Sequence, residues 1–431
     1  MSDIAKRLVH NTLYNFAGRF VSRLANFFLV PYVLATIGMG EYGLFSLLNV
    51  FFYFASLADL GTGAGLMRFM AADVARGDMA VLGRRVFGQL LFCFALTLGL
   101  VLLWQLSGVF LLSFFHLPEN DVLRMRFLVM AFLIAMGLGC MSNVFQSVLL
   151  GYQRMDWTNA IGMALVVPNV AGTLYLLQRG FGLVGLVWVF FVVQGIGLLF
   201  SFLAVGRLCP TLQWARHWPD RESFLPTVRL GMQVQWMRVV ATLSKTLDQL
   251  LLAPMVGLSA VTTYALAGKP VLLVQEVGTL ILSATVPVVA HLDSRDDAGR
   301  VAKLLRLSQG TINFFVGAAV CGFLLMSGFL VRLWLGPGYE HVAQVMRILA
   351  LGHLLSLLIT PGVNQLMGKG NMAMLTPILT LQTVLQVLLS WWAIKTIGLL
   401  GPAVGLCMAV VYGTAHFLIS FYRIKAVAVK A

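Results

Sequence analysis

Long apolar runs, cut at charged or Gly/Pro-rich breaks, divide the chain into twelve segments of helical length: 11–36, 43–66, 86–113, 124–150, 157–178, 182–206, 228–253, 260–289, 306–331, 342–367, 372–394 and 399–422. A helix crosses the hydrocarbon core of a bilayer with about 20 residues, so each segment is long enough to span. No strand-like alternation of barrel type occurs, and a backbone in lipid must satisfy its own hydrogen bonds. The pattern therefore predicts an all-α integral membrane protein with about 12 transmembrane helices. Only the seventh segment is weak by hydropathy, because Arg229, Arg238, Lys245 and Asp248 lie in it. The first stretch carries Asn15, Arg19, Arg23 and Asn26 and lacks a compact apolar core with a small-residue cleavage site. It is expected to remain as the first span rather than act as a cleaved signal.

Composition supports the same class. Of 431 residues, 59% are hydrophobic and 11% charged, with a mean hydropathy of +0.89. A soluble domain averages roughly 25% charged residues, so this chain lacks the polar surface to cover itself in water and has no room for a large soluble domain. The net charge of +14 is mostly positional. With both termini placed in the cytoplasm, eighteen of the 30 Lys and Arg residues fall in cytoplasmic segments and five on the opposite side. This asymmetry predicts a multi-pass protein of twelve spans with both ends cytoplasmic, and it removes any need for a nucleic-acid partner. The five cysteines are scattered singly and read as small apolar fillers.

The chain also resembles itself. A shift of 216 or 217 residues brings Gly151 onto Gly368, Met155 onto Met372, Arg207 onto Arg423, and the turn at Gly182–Gly185 close to that at Gly398–Gly401. A shift of 223 brings Pro31 onto Pro254. Two six-helix repeats follow, an N-terminal lobe 1–212 and a C-terminal lobe 228–431 joined by a cytoplasmic linker 213–227, expected to form two lobes around a central cavity.

The 223-residue shift also aligns polar residues. Thr12, Asn15, Arg19, Ser22 and Asn26 recur at steps of three and four, on one helical face, and Gln235, Arg238, Thr242, Lys245 and Gln249 occupy the matching positions. Such stripes must face protein or water, because a charge facing lipid costs at least about 2.5 kcal/mol. Two readings stand: the stripes line a hydrated positive cavity suited to an anionic or pyrophosphate-bearing substrate, or they serve interhelical hydrogen bonds and snorkelling. Arg23, Lys269 and Arg347, in or at the margins of spans, join the candidate cavity set. The carboxylates Asp59, Asp248 and Glu276 and the cation Arg68 are candidates for coupling or gating. Asp248, three residues after Lys245, also fits a plain counter-charge.

Enzymatic signals are weak. There is no GxxxxGK[ST] phosphate loop, no paired-histidine metal motif and no other metal-ligand spacing, so neither catalytic residues nor a cofactor is expected. Glu119-Asn120-Asp121 has the spacing of a glycosyltransferase metal motif, but its loop is too short to build a catalytic domain.

Ile37-Gly38-Met39-Gly40-Glu41-Tyr42-Gly43-Leu44-Phe45, then Ala58-Asp59-Leu60-Gly61 and Arg68, closely resemble the start of bacterial polysaccharide flippases of the Wzx type. These share a superfamily with MATE multidrug transporters and the lipid II flippase. Trp334-Leu335-Gly336-Pro337-Gly338-Tyr339 and Val345–Gly352 resemble the same family's outer loop and tenth helix. Many members have fourteen spans, against twelve here. The resemblance implies translocation of a polyprenyl-diphosphate-linked oligosaccharide from the cytoplasmic to the periplasmic leaflet for surface polysaccharide (O-antigen, lipopolysaccharide or exopolysaccharide) synthesis. It also implies alternating access driven by an ion gradient or the membrane potential, with a polymerase and glycosyltransferases as partners. A cation-coupled multidrug antiporter on the same fold is the first alternative, disfavoured because the two stripes hold no carboxylate. A membrane glycosyltransferase or ligase is the second.

Overall fold

The computed structural model describes residues 2–57, 66, 69, 70, 73, 74, 76–113, 119–209, 221–283, 285–293, 298–368 and 374–430. Among these, every element is helical: α1 (Ser2–Leu57), α2 (Met79–Ser113), α3 (Glu119–Gly151), α4 (Met155–Ala164), α5 (Val166–Gln178), α6 (Gly182–Leu208), α7 (Arg221–Met255), α8 (Leu258–Ser283), α9 (Thr285–Asp293), α10 (Ala298–Leu335), α11 (Glu340–Leu355), α12 (Thr360–Gly368), α13 (Leu375–Ile397) and α14 (Gly401–Lys430). Short 3₁₀ turns at Ser356–Ile359 and Gly398–Leu400 complete the set.

Nine described stretches are long and apolar enough to cross a membrane. Two of them hold more than one crossing. At 1.5 Å per residue the 56 residues of α1 extend ~84 Å, far beyond a ~30 Å hydrocarbon core. Gly38 interrupts α1 with φ 78° and ψ 173°, a conformation essentially confined to glycine. The stretch Leu375–Phe421 is a hairpin, α13 and α14 turning at Gly398 with φ 60°. With α7, which is helical but too polar to meet the same test, the crossings match the twelve segments of the sequence.

Prolines explain where the other spans break. Pro168 and Pro361 each lack the N–H that would bond four residues back and crowd that carbonyl. The helix accordingly ends at Ala164, and tightens into the 3₁₀ turn Ser356–Ile359 before Pro361.

The chain divides into two compact units, Met1–Thr242 and Leu243–Ala431, with the border inside α7. In the first unit α3 packs against α2 and α6, and α1 against α4. Its interior includes Leu66, Met70, Leu82, Val86, Val148 and Leu149, and Phe132 stacks on Phe190 at 4.4 Å. Charge pairs brace it: Arg124 grips Glu41 of the glycine-rich motif with two hydrogen bonds of 2.6 and 2.9 Å, and Arg85 pairs with Asp73 at 2.8 Å.

In the second unit α11 lies against α8, α10 and α14, and α9 against α12. Phe417 and Phe421 stack and pack with Ile359, Leu366, Leu375 and Ile378. The α13–α14 contact is the tightest: a Cβ on Gly401 would lie 2.4 Å from the Ile394 nitrogen, and one on Gly405 2.5 Å from the Ser390 nitrogen. This is the small-xxx-small pattern by which membrane helices bring backbones together. Side chains such as Leu106, Phe314 and Leu325 are more than four-fifths exposed, an outward apolar surface suited to lipid rather than water.

Candidate functional site

The second half of α7 carries the most developed polar cluster. Asp248 is buried at 2% exposure. The Tyr264 hydroxyl of α8 donates to its Oδ2 at 2.5 Å, Gln386 Nε2 of α13 donates to the same oxygen at 3.2 Å, and the Ser390 hydroxyl donates to Oδ1 at 3.0 Å. Gln386 is itself fixed by Ser244, accepting from its hydroxyl at 2.6 Å and donating to its carbonyl at 2.8 Å. Both carboxylate oxygens are thus met by uncharged donors, the condition under which an acidic group is tolerated in a dry bundle. The sequence placed Asp248 beside Lys245. In the fold the aspartate turns inward to α8 and α13, while Lys245 is exposed.

The cationic stripe of α7 runs beside Asp248 on the same helix but is more exposed. Arg238 and Lys245 are exposed, Gln249 is half-buried, and Gln235 is buried, its amide donating to the Leu57 carbonyl of α1. On α1, Arg23 and Asn26 are exposed, and Asn169 of α5 donates to Asn26 at 3.2 Å. The side chains of Asn15 and Arg19, and all of Asp59 and Arg68, lie outside the described residues. Lys269 and Glu276 are half-buried along α8, which carries Pro270 in its interior. Arg347 is exposed on α11, its Nε donating to the Ser327 hydroxyl at 2.7 Å. Among the described residues no group of His, Cys, Asp and Glu could hold a metal ion.

Sequence reasoning missed Tyr264, Gln386 and Ser390. A faint signal existed for the last two, which stand four residues apart on one face of an apolar helix. The bond from Arg124 to Glu41 likewise had no signal in the sequence.

The chain is thus a multi-pass helical membrane protein with polar, cationic faces on its helices. Solved structures share this fold. A MATE family multidrug resistance transporter of the MOP superfamily, inward-facing, aligns at TM-score 0.77 and 17% identity over 96% of this chain and 95% of its own. Lipid II flippase MurJ in an inward closed conformation aligns at TM-score 0.78 and 14% identity, over 95% and 87%. A MOP superfamily transporter from Pyrococcus furiosus, described as having a binding pocket of reversed polarity, aligns at 0.64 and 15%, over 99% and 96%. No curated protein matches the chain in sequence. The family model for polysaccharide biosynthesis proteins matches residues 8–293, and the chain belongs to that family.

Proposed function

We propose that the protein flips a polyprenyl-diphosphate-linked oligosaccharide from the cytoplasmic to the periplasmic leaflet of a bacterial inner membrane, by alternating access of an N-terminal lobe (1–212) and a C-terminal lobe (228–431) joined at 213–227. The observation that carries this reading is the exposure of Arg238 and Lys245 on a membrane-length helix of a polysaccharide biosynthesis protein. Facing lipid, each would cost about 2.5 to 3.5 kcal/mol. Facing a hydrated cavity, with Asn15, Arg19, Arg23, Asn26, Gln235, Gln249 and Lys269, they would screen a diphosphate and its sugars while the prenyl tail stays in lipid; Arg347, expected with them from the sequence, is instead bonded to Ser327 between α10 and α11. Asp59, Arg68, Asp248 and Glu276 are the coupling or gating candidates. Without a nucleotide site, the driving force is an ion gradient or the membrane potential, which supplies about 2.3 kcal/mol per charge per 100 mV.

The MATE-like fold favours a second reading, drug export. An organic cation needs acidic acceptors, and the stripes offer Arg and Lys instead. Deletion should make lipid-linked oligosaccharide accumulate on the cytoplasmic side, and the double variant R238E/K245E should fail to reverse it while reaching wild-type abundance in the membrane. Normal surface polysaccharide in the deletion strain, with altered drug resistance, would sink the flippase and establish the alternative.

A further inference from the structure

A pocket of about 420 Å³ opens at the α10–α11 hairpin, entirely within the second unit. Its polar lining is Arg332 of α10 with Glu340, Gln344 and Arg347 of α11, and Phe329 forms part of its apolar wall. Arg347 is held in place: Ser327, fully buried, accepts from its Nε at 2.7 Å, and its guanidinium lies alongside Gly328 of α10. With Nε occupied, the terminal nitrogens remain the donors for a ligand. Among the described residues neither arginine is joined to a carboxylate by an ion pair.

Two features connect this pocket to the bilayer. Trp334 and Tyr339 flank the turn, the residue types that settle at headgroup level. Leu325, Phe329 and Leu333, exposed by 83%, 61% and 74%, form an i, i+4, i+8 stripe on α10 that runs out of the pocket through Phe329. Arg347 stands seven residues into α11, ~10 Å along the axis from Glu340, a depth at which an uncovered cation beside hydrocarbon is unfavourable. We infer that the α10–α11 pocket binds the phosphodiester headgroup of an anionic phospholipid, with Arg332 and Arg347 on the phosphate and an acyl chain along Leu325, Phe329 and Leu333. Two cations and Glu340 leave one net positive charge, matched to a monoanionic diester. Glu340 in the same lining repels more highly charged phosphates. The site is independent of the solute that the protein carries.

Native mass spectrometry of the purified full-length protein, titrated with palmitoyl-oleoyl phosphatidylglycerol, tests the assignment. R332Q/R347Q should weaken binding at least tenfold and R332Q alone several-fold, whereas R179Q, in the other unit, should leave it unchanged. E340Q should bind phosphatidic acid more nearly as well as phosphatidylglycerol. Glycerophosphoglycerol, the soluble headgroup, should not displace the lipid at equal concentration. An R332Q protein with wild-type melting temperature and wild-type lipid binding overturns the site. Equal competition by the soluble headgroup overturns its lipid character, and preference for a polyprenyl diphosphate over phosphatidylglycerol overturns the ligand.

Discussion

Asp73 and Arg85 show how burial and a counter-charge act against each other on one carboxyl. Asp73 is almost buried ahead of α2, and burial pushes its carboxyl above the ordinary carboxylate range despite the Arg85 guanidinium at 2.8 Å, which pulls the other way. A raised acid favours the protonated form in the folded state. Its contribution is therefore fully present below the unfolded carboxylate value and is lost as pH rises through the raised one. The wild-type melting temperature in detergent should carry a component that falls with rising pH across that window. D73N, which cannot titrate there, should lack it. Identical pH profiles for the two proteins would falsify the assignment. Asp248 follows a different logic: its neighbours Tyr264, Gln386 and Ser390 are neutral, so its place in the bundle depends on hydrogen bonds rather than on a counter-ion.

The elements were the most legible level of the sequence. Runs of apolar residues mark spans because a helix needs a fixed length to cross lipid, and prolines mark breaks because a missing N–H has a fixed position. Gly38 was legible as part of a motif, but the backbone angles that divide α1 there were not. The close approach of α13 and α14 was also hidden, since Gly401 and Gly405 are two among 42 glycines. That approach carries a prediction. In Gly405→Ala the new methyl would meet the Ser390 backbone and hydroxyl at 2.5 to 2.6 Å, so the helices must separate. Overpacking of this kind typically costs about 1 to 3 kcal/mol, and here it also shifts the Ser390 hydroxyl from Asp248. G405A should melt well below wild type in detergent, and G162A, where an added Cβ meets nothing within 4 Å, should not. Equal melting of the two variants would remove the role given to this contact.

At the scale of the molecule, the class of protein could be read from composition and loop charge, and its family from the glycine-rich motif near Glu41. The polar cluster around Asp248 could not, because its partners come from helices 16 to 142 residues away and only tertiary packing brings them together. That separation has a consequence in time. α7 is too polar to rank with the apolar spans, and it is synthesised long before the residues that satisfy it. At roughly 5 to 20 residues per second, the 142 residues between Asp248 and Ser390 take about 7 to 28 s to make. Until then the carboxylate has Tyr264 at most. Nascent chains arrested before α13 should therefore leave position 244, as Ser244→Cys in a cysteine-free background, open to a water-soluble maleimide, and chains extended through α14 should protect it. Protection in the shorter chains would contradict this order. The hydrogen bonds that make Asp248 admissible in the finished bundle thus make α7 a late-maturing segment, one that the insertion machinery must shelter until the last hairpin arrives.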